Sequence, residues 1–317
     1  MRALITGSEG FVGQHLIHFL LQETSLEIIG SVYYKLPLPQ TPSPRVHFRH
    51  ADLQDEAAVH QLIAHWRPDY IFHLAGQSFV PYSWQHPWRT FDQNVHIQLN
   101  LFRAMIAEKV DARILVVGSG DEYGAIQPDD LPIDENTPLR PVSPYAVSKI
   151  TQDFLGWQYH HSHGIQAVRV RPFNHIGPGQ RDIFVASSFA KQIAEIEAGI
   201  KPPLLRHGNL EARRDFTDVR DMVRAYWLII NQGQAGDVYT IGSGRAISIQ
   251  HMLETMLSMS HLPIRTETDP ARMRPSDTPV IFSNPAKMQA LTGWRPEIPL
   301  EQTLADILDD WREKIGT

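Results

Sequence analysis

Short apolar runs alternate with longer helical stretches along the first half of the chain. Residues 2–6 are apolar and break at Gly7, and His15-Leu16-Ile17-His18-Phe19-Leu20-Leu21 then reads as a buried helix. Glu27-Ile28-Ile29-Gly30-Ser31-Val32-Tyr33 is the next strand. Residues 46–51 form a third, ending at Asp52-Leu53, and a helix covers 55–66. Tyr70-Ile71-Phe72-His73 opens a fourth strand that runs into the small-residue loop Leu74-Ala75-Gly76-Gln77. A long helix spans 89–109, a fifth strand runs from Ala112 to Gly118, a helix carries Tyr145, and Ala167-Val168-Arg169-Val170 is a sixth strand. Such alternation predicts an α/β fold with a doubly wound parallel sheet. After Gln180 the alternation fades into helices 186–198, 219–232, 248–259 and 300–314, with one strand over 237–241. Proline and arginine rise there, as in Arg272-Met273-Arg274-Pro275. The pattern divides the chain into a first unit, 1–172, and a smaller mixed α/β region, 173–317, interleaved with it.

Composition narrows the field. The 317 residues are 42% hydrophobic and 20% charged, an ordinary globular balance. Net charge is −6, from 29 basic and 35 acidic residues, so nothing points to nucleic acid or to an anionic membrane. There are no cysteines, which excludes disulfides, thiolate catalysis and cysteine-held metals. Met1-Arg2-Ala3-Leu4-Ile5-Thr6-Gly7 reaches glycine too soon for a signal peptide, and no apolar run is long enough to span a bilayer. A cytoplasmic protein is the expectation.

Three motifs carry chemistry. Gly7-Ser8-Glu9-Gly10-Phe11-Val12-Gly13 joins a strand to a helix. In that setting Gly7 allows the tight turn, Gly10 admits a pyrophosphate to the backbone, and Gly13 lets helix pack on strand. The free N–H groups of the helix N-terminus receive the phosphates. Strand 27–33 ends in Tyr33-Tyr34-Lys35, without the acidic residue that holds a ribose 2′-hydroxyl. Lys35 near that end favours NADP(H), with NAD(H) accepted. The small loop Leu74-Ala75-Gly76 lets a flat cofactor lie against backbone. In Ser143-Pro144-Tyr145-Ala146-Val147-Ser148-Lys149, Tyr145 and Lys149 share one helical face. An ammonium beside a phenol favours the phenolate, so Lys149 is expected to lower the pKa of Tyr145 and suit it to proton transfer. Ser119, at the end of the fifth strand, is placed to donate a hydrogen bond to a developing alkoxide.

Gly7-x-x-Gly10-x-x-Gly13, Ser119 and Tyr145-x-x-x-Lys149 together resemble the extended short-chain dehydrogenase/reductases that act on nucleotide sugars. The similarity covers essentially the whole chain and implies a Rossmann-like sheet with a C-terminal substrate-binding region. Gly118-Ser119-Gly120-Asp121-Glu122-Tyr123-Gly124, the segments Arg171–Gln180 and Gly208–Val219, and Asp269–Pro275 resemble members that reduce GDP-4-keto-6-deoxy-D-mannose to GDP-D-rhamnose. The resemblance implies Ser119, Tyr145 and Lys149 as catalytic residues, with Lys149 also on the nicotinamide ribose. It extends cofactor contacts to Phe11, Val12, Asp52, Leu53 and Pro172. It implies a GDP-sugar site using Ser119, Asp121, Asn174, Asn209, Arg214, Arg274 and Asp277, with the two arginines on the diphosphate. Helices 89–109 and 145–162 are the pair such proteins use to form a homodimer.

Other readings stay open. A dehydratase of this class needs glutamate two residues past the serine. Position 121 is Asp121, one methylene short, and Glu122 comes one residue late. Since a misplacement of about 1 Å can cost ~10²-fold, a reductase is favoured. Hydride delivery to the other ketone face would give the 6-deoxytalose epimer, and a non-catalytic NADPH-binding protein is the further alternative. His160-His161-Ser162-His163 reads as a solvated helix end rather than a metal site. Trp84, Trp88 and Phe91 read as core or as an anchor for a substrate loop.

Overall fold

The computed structural model describes residues 1–33, 43–273 and 278–316. Lys35, Arg274 and Asp277 lie outside the described residues. Seven parallel strands form the main sheet in the order β11-β6-β5-β4-β1-β2-β3. These are β1 Arg2–Thr6, β2 Glu27–Val32, β3 Val46–His50, β4 Tyr70–His73, β5 Arg113–Val117, β6 Gln166–Pro172 and β11 Val238–Ile241. The order reverses between β1 and β4, whose paired ends Thr6 and His73 open a crevice at their carboxyl side.

Both faces of the sheet are covered, which explains the near-continuous apolar runs in its strands. One face packs α1 (Phe11–Glu23) and α8 (Val219–Gln232) through Leu16, Leu20, Met222 and Ile229. The other packs α2 (Glu56–Trp66) and α5 (Ile97–Ala107) through Val59, Ile63, Leu101 and Phe102. Asp55 caps α2 by accepting from the N–H groups of Ala57 and Ala58, a cap that contributes about 1 kcal/mol. Strand β11 and helix α8 both come from beyond residue 172, so the chain returns to complete the first layer.

Residues past β6 also build three smaller sheets. Strand β7 (Asn174–Ile176) pairs with β10 (Phe216–Asp218), and β8 (Leu204–His207) with β13 (Arg265–Thr268). Strand β9 (Arg213–Arg214) lies between β12 (Ile247–Ser248) and β14 (Val280–Ile281). A separate core beneath them joins α7 (Val185–Glu197), α9 (Ile249–Ser258) and α11 (Leu300–Ile315) through Phe189, Met252 and Leu304.

Two expectations change. The long helix over 89–109 is instead α4 (Pro87–Phe91), a π turn over Asp92–His96, and α5, preceded by a short α3 (Val80–Gln85). Trp84 and Trp88 are not core: they are 60% and 83% exposed on α3 and α4. Short α10 (Ala286–Thr292) packs on α8 and β11. Among the described residues no helix is long and apolar enough to cross a membrane, and no group of residues could hold a metal ion.

Candidate active site

The glycine loop has the geometry its spacing predicts. Gly7 sits at φ +66°, and a Cβ there would meet the Ala75 backbone at 2.9 Å. A Cβ on Gly13 would lie 2.5 Å from the Gly7 carbonyl oxygen, so helix α1 presses on the turn as only glycine permits. Gly10 is exposed at the head of α1, where unpaired N–H groups and the helix dipole favour an anion. Phe11 and Val12 begin that helix half-buried. Leu74, Ala75 and the exposed Gly76 line the facing strand end. Asp52 accepts from Gln54 N at 2.9 Å just past β3, beside the buried Leu53. The crevice therefore fits a dinucleotide along its glycine side.

Helix α6 (Pro144–His163) carries the next two groups. Ser143 caps it by accepting from Ala146 N at 3.1 Å, and Pro144 starts its first turn. Its far end stops at Gly164, φ +72°, with His160 turned onto the Ile165 carbonyl, so the histidine-rich segment is a helix terminus. Tyr145 is buried, with its hydroxyl near Ser119. Ser119 follows β5 and starts a single 3-10 turn, Gly120–Glu122. Its Oγ accepts from Asp121 N at 3.1 Å, while Glu122 Oε1 accepts from Ser119 N at 2.7 Å. The structure thus brings Ser119, Tyr145 and Lys149 together.

The electrostatics correct one expectation. Lys149 does not lower Tyr145: burial, together with the charge of Asp121, pushes the phenol well above its ordinary range. Lys149 Nζ is committed to Val117 O at 2.8 Å and Gln152 Oε1 at 3.0 Å, and burial brings it down to about 8. Tyr145 is therefore a neutral phenol at physiological pH, the form a proton donor needs. His73 is pushed down to about 3 by burial and by Lys149, and its Nδ1 lies 2.9 Å from Thr6 Oγ1.

Sequence reading missed several supporting groups. Asn94, in the π turn, bridges the cofactor loop and α6: its Oδ1 accepts from Gln77 N at 2.7 Å and its Nδ2 donates to Ser148 Oγ at 2.8 Å. Such turns recur at functional sites because they re-aim one side chain from a helix. Glu9 accepts from Tyr33 N at 2.9 Å, tying the glycine loop to the end of β2. Behind Ser119 lies a buried ionic cluster. Arg171 Nε donates to Asp153 Oδ2 at 2.9 Å, Arg169 Nη1 donates to Asp153 Oδ1 at 2.7 Å, and Glu122 Oε2 lies 3.2 Å from Arg171 Nε. Glutamate in a glycine-flanked turn is an ordinary surface residue in sequence, and only the fold buries this one.

The remaining predicted substrate residues spread along the C-terminal side. Asp121 is exposed beside Ser119, Asn174 is exposed on β7, and Pro172 is buried at the end of β6. Arg214 is half-buried and donates to the carbonyls of Arg213 at 2.9 Å and Thr278 at 2.7 Å. Asn209 lines a cleft of about 270 Å³ together with His207, Gly208, Leu210, Glu211, Gln250, Thr268 and Met273.

A dinucleotide crevice beside a Ser-Tyr-Lys set on this sheet order defines an extended short-chain dehydrogenase/reductase. Residues 4–307 match the family described as GDP-mannose 4,6 dehydratase, and the chain belongs to that family. It is 35% identical over 316 residues to GDP-6-deoxy-D-mannose reductase from Pseudomonas aeruginosa, covering 99% of this chain and 98% of that protein. It is 28% identical to a GDP-mannose 4,6-dehydratase of Vibrio cholerae, covering 96% and 92%. The structure of RMD from Pseudomonas aeruginosa complexed with NADPH superimposes with a TM-score of 0.87 at 35% identity over 99% of both chains. UDP-glucose 4-epimerase from Thermus thermophilus, in complex with NAD, gives 0.87 at 27% identity, covering 98% and 99%.

Proposed function

We propose that this protein is an NADPH-dependent reductase that converts GDP-4-keto-6-deoxy-D-mannose to GDP-D-rhamnose, with NADH accepted as a weaker donor. The observation that carries the reading is the buried, neutral Tyr145 hydroxyl near Ser119, with Lys149 one helical turn on. When bound, the cofactor supplies the hydride. Ser119 donates a hydrogen bond to the ketone oxygen as negative charge builds there, and Tyr145 delivers the proton. Lys149, one turn further along α6, is assigned to hold the nicotinamide ribose. The glycine loop, with Leu74–Gly76, Asp52, Leu53 and Pro172, holds the cofactor. Residues 1–172 supply most of that task and 173–317 the sugar nucleotide.

Asp121, Asn174, Asn209 and Arg214 are the proposed substrate contacts among the described residues, with Arg274 and Asp277 beyond them. The cleft at Asn209, which mixes polar His207, Gln250 and Thr268 with apolar Leu210 and Met273, is the proposed place for part of the nucleotide. Arg214 is held by backbone carbonyls, which pre-orders its guanidinium for a phosphate. The reductase is favoured over a dehydratase because no glutamate stands where proton removal beside the ketone requires one. Asp121 is one methylene short, and Glu122 is fully buried behind Ser119. The relatives named as a reductase and as dehydratases differ in identity in the same direction.

Val147, Phe154 and Trp157 are exposed apolar side chains on α6, and Ile106 is another on α5. They support a homodimer through these helices, which light scattering would detect as twice the 36.1 kDa chain mass. The functional test is NADPH oxidation, followed by absorbance, on offering GDP-4-keto-6-deoxymannose or GDP-mannose. The proposal expects oxidation with the keto sugar alone. Loss of GDP-mannose without NADPH consumption would replace the reductase reading with the dehydratase one.

A further inference from the structure

A dinucleotide with its pyrophosphate at the head of α1 brings its adenosine ribose to the carboxyl end of β2, where an acidic side chain commonly meets the 2′-hydroxyl. The chain has no acidic residue there in sequence, since β2 ends at Val32 and Tyr33 follows. The fold supplies one from elsewhere. Glu9 Oε1 accepts from Tyr33 N at 2.9 Å, so a carboxylate of the glycine loop sits against the first residue past β2.

Several contacts hold it there. Ser8, the residue before it, donates to Ser31 O from both its N and its Oγ, at 3.2 and 2.9 Å. A Cβ on Gly30 would come within 2.7 Å of that Oγ, so the loop lies directly on β2. From β3, His50 Nε2 lies 2.8 Å from Tyr33 O, and just beyond that strand Ala51 N donates to Val32 O at 3.0 Å. Gly10, next in sequence, is exposed at the head of α1. Glu9 therefore stands between the place for the pyrophosphate and the end of β2. Its Oε2 is buried and has no hydrogen-bond partner among the described residues. An unsatisfied carboxylate oxygen shielded from water is costly, and a hydroxyl donor would offset that cost. Arg49, which pairs in register with Ser31, is turned elsewhere: it donates to Phe48 O at 2.8 Å and lies 5.1 Å over the Trp66 ring.

We propose that Glu9 is a specificity-determining residue for the cofactor, its carboxylate accepting from the adenosine ribose 2′-hydroxyl and opposing a 2′-phosphate. The acidic group that sequence reading found missing from β2 is thus carried by the glycine loop. The inference deepens the cofactor part of the reading above and rests on it. Lys35, outside the described residues, is the charge assigned to NADPH, and Glu9 is what admits NADH.

The test measures NADH and NADPH binding to the whole chain by fluorescence titration, with no sugar present. The two nucleotides differ only in the 2′-phosphate. Glu9→Gln keeps an acceptor for Tyr33 N and removes the charge. The ratio of the NADH Kd to the NADPH Kd should rise about tenfold, as loss of a like-charge contact a few ångströms from a phosphate predicts. Glu9→Ala removes charge and acceptor together, should move the ratio the same way, and serves if the Gln variant fails to fold. A side chain that only braced the loop would change both affinities alike and leave the ratio in place. A folded Gln or Ala variant with an unchanged or lowered ratio therefore overturns the proposal, and does so alone if the wild type still reduces the keto sugar. A wild type that oxidises neither nucleotide on the keto sugar, while the ratio shifts in the variants, sinks the reductase reading and leaves the role of Glu9 standing.

Discussion

A buried carboxylate braces each half of this molecule, and the two do it with different partners. Asp153, behind the reaction centre, is 1% exposed and bonded to the guanidinium groups of Arg169 and Arg171. Asp215, beside Arg214 in the C-terminal region, is 0% exposed and accepts from five neutral donors. These are Ser243 N at 2.7 Å, Ser243 Oγ at 2.5 Å, Gly244 N at 3.0 Å, Ser283 N at 3.0 Å and Ser283 Oγ at 2.5 Å. Charges are gathered where a proton must move. Neutral donors suffice where loops need only be pinned so that Arg214 and its neighbours keep their places.

The largest effect expected is on turnover. Tyr145→Phe removes the proton donor and leaves the glycine crevice intact, so kcat should fall by roughly 10²–10⁴-fold. NADPH affinity, measured by fluorescence titration, should hardly change. Near-normal turnover would break the link between the buried cluster and the chemistry.

Asp153→Ala comes next. It strands two buried guanidinium groups, which typically costs about 3–5 kcal/mol. Urea unfolding should register that loss. A cost under about 1 kcal/mol would mean that the cluster is not the stress-bearing element its geometry suggests.

Asp215→Asn should cost less, on the order of 1–3 kcal/mol, because Asn retains one acceptor oxygen and leaves only part of the donor set unmet. Its kinetic signature should also differ. KM for the sugar nucleotide should rise while kcat and cofactor affinity hold, since the loops at 242–244 and 283 brace β9. A fall in kcat with unchanged KM would erase the distinction between the two halves.

The smallest effect is a pH slope. His73 in the folded chain is held down at about 3 by burial and by Lys149, below its ordinary 6.5. The folded state therefore binds fewer protons than the unfolded state between these values. Stability from this group is present above pH 6.5 and is lost as pH falls toward 3, by at most about 1.4 kcal/mol per pH unit. His73→Asn keeps a partner for Thr6 and should flatten the acid limb of a stability–pH curve. An unchanged limb would remove His73 from the account.

What the sequence disclosed follows the same division. The glycine turn was legible because its chemistry is local: Gly7, Gly10 and Gly13 act within one strand-to-helix connection. Tyr145 and Lys149 were legible because a helix repeats every 3.6 residues. The Glu122–Arg171–Asp153 cluster was not, because its members are brought together by a turn, a strand and a helix far apart in sequence. Strands β8 and β13 were missed for another reason. All four residues of β13 are exposed, so no alternation of apolar and polar positions marks it. The π turn at Asp92–His96 hid inside a sequence that reads as one helix, and with it the role of Asn94. Trp84 and Trp88 misled because large apolar residues are usually buried. The depressed phenol pKa expected from the i, i+4 lysine failed because burial outweighs a charge that is already spent on Val117 and Gln152.

The most direct test of the central claim is identification of the product. GDP-4-keto-6-deoxymannose is incubated with the wild type and NADPH deuterated at the transferable position, and the sugar is examined by NMR. The reductase account predicts GDP-D-rhamnose carrying deuterium at C4, with one NADPH consumed for each sugar reduced. Unlabelled product, the 6-deoxytalose epimer, or keto sugar left unreduced would contradict it.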